Sequence, residues 1–233
     1  MMDDAAVFSV LSKCFAPVSE SEWKQLTAPH AWDQFLGSVR FILQNGGSFG
    51  GDLSQVERAR SNHAPLQDFL ADGEVNALFC PPTYDEKRQF FARHFTGGLP
   101  ESALPIESLY TPWDDLDASS PFGAHDGMYM GRSARYMSAL VEQLGLSIPP
   151  EYSDKPDHLA LELDVIAVML RSGMTSEART FLRERFAWLT DYRKKLIGLG
   201  KEASFFVSLV DVLIGFCAEQ AEADSPKGAR ARR

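Results

Sequence analysis

The chain has 233 residues, of which 45% are hydrophobic and 24% charged, with a net charge of −9. That length buries a sizeable core as one large domain or two coupled halves, and the balance excludes disordered and fibrous classes. The negative excess disfavours nucleic acid as a partner, since phosphate is repelled by an acidic surface.

Asp3 and Asp4 stand where a secretory signal carries positive charge, so the N-terminal apolar stretch reads as the first helix of a cytoplasmic protein. Val7, Leu11 and Phe15 form its stripe, and Trp32, Phe35, Leu36, Val39 and Leu43 form a second one that stops at Asn45, Gly46 and Gly47. Short helices are expected over Leu53 to Arg60 and Pro65 to Ala71, then a longer one from Tyr84 to Phe95. The run TPWDDLDASSPFGAHDG lacks a period and reads as a hinge or long connecting loop. Three strong helices are predicted after it, over Met128 to Leu144, Asp157 to Ser172 and Ser176 to about Leu196, and a last one runs from Glu202 to Ala221. Its apolar face is Phe205, Phe206, Leu209, Leu213 and Phe216. The expected fold is all-α: an N-terminal helical half over 1–110, a hinge loop over 111–127, a C-terminal helical bundle over 128–222 and a disordered basic tail over 223–233.

No apolar run is long enough to span a membrane, since even Leu159 to Leu170 is broken by Glu162 and Asp164, and no stable membrane insertion is expected. Cys14, Cys80 and Cys217 are far apart and form no C-x-x-C pair, which predicts reduced, packed thiols. Twelve acids and only Arg132, Arg135 and Lys155 as bases lie between Pro100 and Asp164, so this stretch holds the entire charge excess. Solvated helix faces account for that as simply as a surface for a cationic partner does.

GGSFG at Gly46 to Gly50 has the letters of a nucleophile elbow, but it follows a helix where that motif needs a strand, so it reads as a loop. Neither G-x-x-x-x-G-K-[ST] nor G-x-G-x-x-G occurs, and no cofactor is expected. His158 and Glu162 share a helix face, where a structural His–Glu hydrogen bond is the plainer reading than a metal site. Pro156 suits a first helical turn and Asp157 suits its positive dipole end, so capping explains most of the segment. It does not explain the histidine, or the carboxylate one turn further in.

EYSDKPDHLALEL resembles the E-x-x-x-x-PDH-x-x-x-EL signature of the TorD/DmsD/NarJ-like family, cytoplasmic chaperones for the maturation of molybdenum-containing redox enzymes. FARHFTGGLPESALPIESLY, from Phe91 to Tyr110, is similar to the family's Y-x-R-L-F-x-G, Pro-rich turn and E-S-V-Y. FLRERFAWLTDY, from Phe181 to Tyr192, is similar to its tryptophan-bearing helix. The likeness covers roughly Leu78 to Phe216. Three positions depart from the family pattern: His94 stands for leucine, Phe91 for tyrosine and Gly98 for proline.

The resemblance implies a non-enzymatic protein that binds the twin-arginine signal peptide and the apo form of a molybdenum-containing oxidoreductase, as a monomer or a hinge-swapped homodimer. Carried over by position, the peptide-binding residues are Phe91, Phe95, Pro105, Glu107, Ser108 and Tyr110 from one strip, and Pro156, Asp157, His158 and Glu162 from the other. Such a peptide offers arginines and then an apolar segment. Asp157 and Glu162 are expected to face the guanidinium groups, with Phe91, Phe95, Tyr110 and Met169 as an apolar trough. On that reading alanine at 157 or 158 weakens binding and leaves thermal stability nearly unchanged. The competing readings are an adaptor that binds a folded surface and an acid–base enzyme using His158 and Glu162.

Overall fold

The computed structural model describes residues 2–44, 79–111 and 131–223, without the side chains of 44 and 218–223. Its helices are α1 (Asp4–Phe15), α2 (Glu20–Leu26), α3 (Pro29–Gln44), α4 (Tyr84–His94), α5 (Arg132–Gln143), α6 (Leu159–Arg171), α7 (Thr175–Arg185), α8 (Leu189–Gly198) and α9 (Ser204–Ala223). No strand occurs among the described residues, so the all-α expectation is met. The helix stop at 45–47, the GGSFG loop, the short helices over 53–60 and 65–71, nearly all of the hinge and nearly all of the basic tail lie outside the described residues.

The sequence of α6 is apolar on almost every side, which suits a helix surrounded by others. Leu159, Leu163, Ile166 and Ala167 are fully buried there. Among the described helices, α1 lies along α6 more extensively than any other two meet. Its predicted stripe of Val7, Leu11 and Phe15 is fully buried, and the Ser12 hydroxyl donates to the Ala160 carbonyl at 2.8 Å. α9 closes the core against α3, α7 and α8 with Phe206, Leu209, Leu213 and Phe216. Asp3 caps α1, and the buried Lys87 ammonium donates to the Ala16 carbonyl just beyond its other end, where the helix dipole favours a cation. Desolvation drops the Lys87 pKa to about 8.

Three expectations change, and one helix is added. α2 has no long apolar stripe; it is fixed by a Ser19/Glu22 capping box and by Trp23, whose indole N–H donates to the Pro82 carbonyl at 2.9 Å. The single helix expected over Ser176 to Leu196 is two, because the chain turns at Phe186, Ala187 and Trp188. Phe186 and Trp188 are both buried, and residues two apart on a continuous helix point about 200° apart and cannot share one core face. The helix expected from Asp157 begins at Leu159. Of the three thiols, Cys14 is buried and pushed up to about 12 by burial, but Cys80 is exposed rather than packed.

None of the described helices is long and apolar enough to cross a membrane. Leu163→Ala should lower stability by about 2–5 kcal/mol, through lost transfer energy and the cavity left behind. A urea titration reads this as a lower midpoint at unchanged slope, and a shift below about 1 kcal/mol would contradict the central place of α6.

Candidate functional site

The two strips separated in sequence meet through the backbone. Leu159 N–H donates to the Pro105 carbonyl at 2.8 Å and Glu107 N–H to the Asp157 carbonyl at 3.0 Å. Ile106 and His158 thereby form an isolated antiparallel bridge. The Asp157 carboxylate completes the clasp by accepting the Ser108 N–H at 2.8 Å. Pro156 and Asp157 form the middle of a turn closed by the His158 N–H donating to the Lys155 carbonyl at 3.1 Å, and proline suits the first of those two positions.

His158 is the N-cap of α6, and its Nδ1 accepts the Ala160 N–H at 3.1 Å. That role needs a ring nitrogen free of its proton. Burial supplies the condition by driving the His158 pKa down to about 3, with Lys155 acting in the same direction. The ring packs 5.0 Å from that of Tyr152. Its nitrogen is therefore committed to the backbone, and the expected His158–Glu162 bond is not formed.

Glu162, one turn into α6, is wholly buried and neither of its oxygens receives a donor. Burial first, then the neighbouring Glu107 charge, pushes its carboxyl well above the ordinary range, so the acid is held neutral with its proton directed toward Glu107. Glu107 is raised by burial and held down by Arg185, the last residue of α7, which forms an ion pair with it. The Ser133 hydroxyl on α5 adds a hydrogen bond to Glu107. The Arg185 guanidinium lies 4.6 Å from the ring centre of Tyr136, also on α5. Acidic groups at the start of α6 and a cation at the end of α7 each suit the dipole of their helix.

Beside the clasp, Tyr110 stacks on Trp188 at 5.5 Å and meets Tyr192 edge-on at 5.4 Å. The Trp188 indole N–H and the Tyr192 hydroxyl are buried without a partner, and burial raises the hydroxyl pKa of both Tyr110 and Tyr192. Phe91 and Phe95 pack instead with Phe206, where Phe95 also meets Phe15 and Phe90, and the Lys87 ammonium sits 3.9 Å above Phe91. The structure thus unites Pro105, Glu107, Ser108 and Tyr110 with Pro156, Asp157, His158 and Glu162, and seats Phe91 and Phe95 in the α4/α9 ring cluster.

Among these ten residues only Phe91, Phe95 and Tyr110 are partly exposed. Asp157 and Glu162 are buried rather than facing outward, so the expectation that alanine at 157 or 158 spares stability is corrected. Two departures from the family pattern also have local reasons. His94 is buried, with one ring nitrogen 2.9 Å from the Glu101 carbonyl and the other 3.0 Å from Glu202. Gly98 has φ +85°, which proline cannot adopt.

Sequence reasoning missed Arg185, Tyr136 and Ser133. Trp188 and Tyr192 were within the quoted FLRERFAWLTDY, and their i, i+4 spacing was the available signal. Among the described residues no group of three or more His, Cys, Asp or Glu is arranged to hold a metal ion.

Residues 58–197 match the family described as nitrate reductase delta subunit, a span that includes both strips and Arg185. The chain belongs to that family. It is 24% identical over 223 residues to chaperone protein TorD of Shewanella amazonensis (strain ATCC BAA-1098 / SB2B), covering 91% of this chain and 88% of that one. Chaperone protein TorD of Histophilus somni (strain 129Pt) is 25% identical over 163 residues, covering 64% and 77% respectively. That of Vibrio parahaemolyticus serotype O3:K6 (strain RIMD 2210633) is 24% identical over 187 residues, covering 72% and 86%. The TorD-like resemblance read from the motifs is borne out by these relatives.

Asp157→Ala should destabilise by about 1–3 kcal/mol, because a buried Ser108 N–H is left without an acceptor. Asp157→Asn keeps a side-chain oxygen and should recover part of that in the same thermal melts. His158 titrates near 6.5 when unfolded and near 3 when folded, so the unfolded state binds the extra proton between those values. Wild-type stability relative to His158→Asn, which retains a cap acceptor, should therefore fall on going from about pH 7 to about pH 4, by up to about 1.4 kcal/mol per pH unit. Parallel urea titrations of the two proteins would contradict the neutral cap if their difference did not change.

Proposed function

We propose that this protein is a cytoplasmic, non-enzymatic chaperone that binds the twin-arginine signal peptide of a molybdenum-containing redox enzyme and holds the apo enzyme until cofactor insertion and folding are complete. Membership of the family and the name of the relatives, chaperone protein TorD, support the maturation role. The observation that carries the peptide reading is the junction of the two strips. At that junction the buried acids Glu107, Asp157 and Glu162 interact with one another, and Tyr110, three residues after Glu107, packs against Trp188 and Tyr192.

The two parts of the ligand require different things. Arginines need carboxylates with fork geometry, and the apolar segment needs ring faces that are already assembled. Tyr110 is the partly exposed residue of the junction, so on this reading the peptide makes its first contact there, and Phe91 and Phe95 form a second apolar station. Pro105, Ser108, Pro156 and His158 act by holding the clasp in shape. The halves over 1–110 and 128–222, joined by the hinge over 111–127, allow a monomer or an exchange of halves between two copies; such an exchange would replace the α1–α6 contact with the same contact across the dimer.

Fluorescence anisotropy with a labelled peptide carrying an Arg-Arg pair and a following apolar segment tests the reading. Binding should weaken with a Lys-Lys pair and on raising salt, since bidentate pairing and screened charge are both involved. Tyr110→Ala should lower affinity by about tenfold or more while the far-UV circular dichroism is unchanged. Equal binding of the two peptides, or full affinity in Tyr110→Ala, would remove the reading.

A further inference from the structure

The acid site contains more acceptor atoms than the chain's own cation serves, even with Glu162 neutral. Glu107, Asp157 and Glu162 interact with one another and with one guanidinium, that of Arg185. Both oxygens of the fully buried Glu162 and Oδ1 of the fully buried Asp157 receive no donor. Arg185 in turn is incompletely used. It donates to Glu107 through Nη2, while its buried Nε–H has no acceptor, although a guanidinium carries five donors in a fork suited to paired carboxylate oxygens.

The cation is also the outer member of the group. The Arg185 side chain is 19% exposed against 5% for Glu107, and it rests under Tyr136, itself 45% exposed. It sits on the last residue of α7, just before the turn into α8, at the solvent side of the group.

We propose that Glu107, Asp157 and Glu162 form an alkylguanidinium site in which Arg185 is a resident ligand, and that an arginine side chain from a partner enters by displacing it. The proposal deepens the peptide-binding reading and rests on it for the source of the arginine, but the site itself is testable without any peptide. Displacement makes the site selective. A planar fork can reproduce the bond to Glu107 and reach the unserved oxygens, whereas an ammonium offers a point charge without the matching geometry. It also weakens apparent affinity by the fraction of molecules in which Arg185 is seated, so loosening Arg185 should strengthen binding.

Arg185→Gly opens the site for chemical rescue. N-acetyl-arginine amide at about ten times its Kd should raise the Tm of this variant by about 3–6 °C, leave wild type unchanged, and be unmatched by N-acetyl-lysine amide. No rescue, or equal rescue by the two amides, overturns the proposal. If Arg185→Gly does not fold, Tyr136→Ala decides. Removing the ring over the guanidinium should raise affinity for the Arg-Arg peptide by about two- to fivefold, and unchanged or lower affinity overturns the proposal. The two ideas fail separately. Selective rescue in a protein that binds no Arg-Arg peptide leaves the site and removes the chaperone reading, whereas Arg-selective peptide binding without rescue does the reverse.

Discussion

The acceptance of a backbone N–H by the buried Asp157 carboxylate is the interaction on which the rest of the site depends. An ionisable side chain with no exposed surface either stays neutral, as Glu162 does, or needs hydrogen bonds in replacement of water. Ser108 N–H provides that replacement at 2.8 Å, and the flanking backbone bonds on either side fix both strips in one register. Once register is set, Glu107 faces Arg185, His158 turns its nitrogen to the first turn of α6, and Tyr110 reaches Trp188 and Tyr192. Three side chains of different chemistry are thus oriented by one short pairing between segments far apart in sequence.

The division of labour follows from burial. Residues of the PDH segment act on the backbone, and they are hidden because a clasp open to water would gain little from its hydrogen bonds. Contact with anything outside falls to partly exposed groups at the edge, above all Tyr110. Arg185 lies between these classes, touching the deepest acids while retaining access to solvent.

Much of the fold was legible because periodicity survives packing. The stripes of α1 and α9 are the buried faces, and the largely apolar sequence of α6 suits a surrounded helix. What could not be read were local stops made by side chains acting on the backbone. The break between α7 and α8 depends on two aromatics competing for one core, and the start of α6 depends on His158 replacing an ordinary capping residue. At the site, the motif brought the correct segments together but suggested the wrong exposure. Nothing in the letters PDH says whether a carboxylate faces solvent or a backbone amide, and nothing in FLRERF says that its last arginine pairs with a glutamate on a distant turn.

The seating of α1 on α6 has a consequence for how the chain is made. Ser12 and the carbonyl that accepts its proton are 148 positions apart, so translation at about 5–20 residues per second separates their appearance by roughly 7–30 s. Throughout that interval the greasy side of the earlier segment lacks its principal native surface. Contacts of such long range also slow closure of the native topology. A protein of this architecture is itself vulnerable during synthesis, and ribosome-associated holding of the nascent segment would matter most for the stretch that is finished earliest.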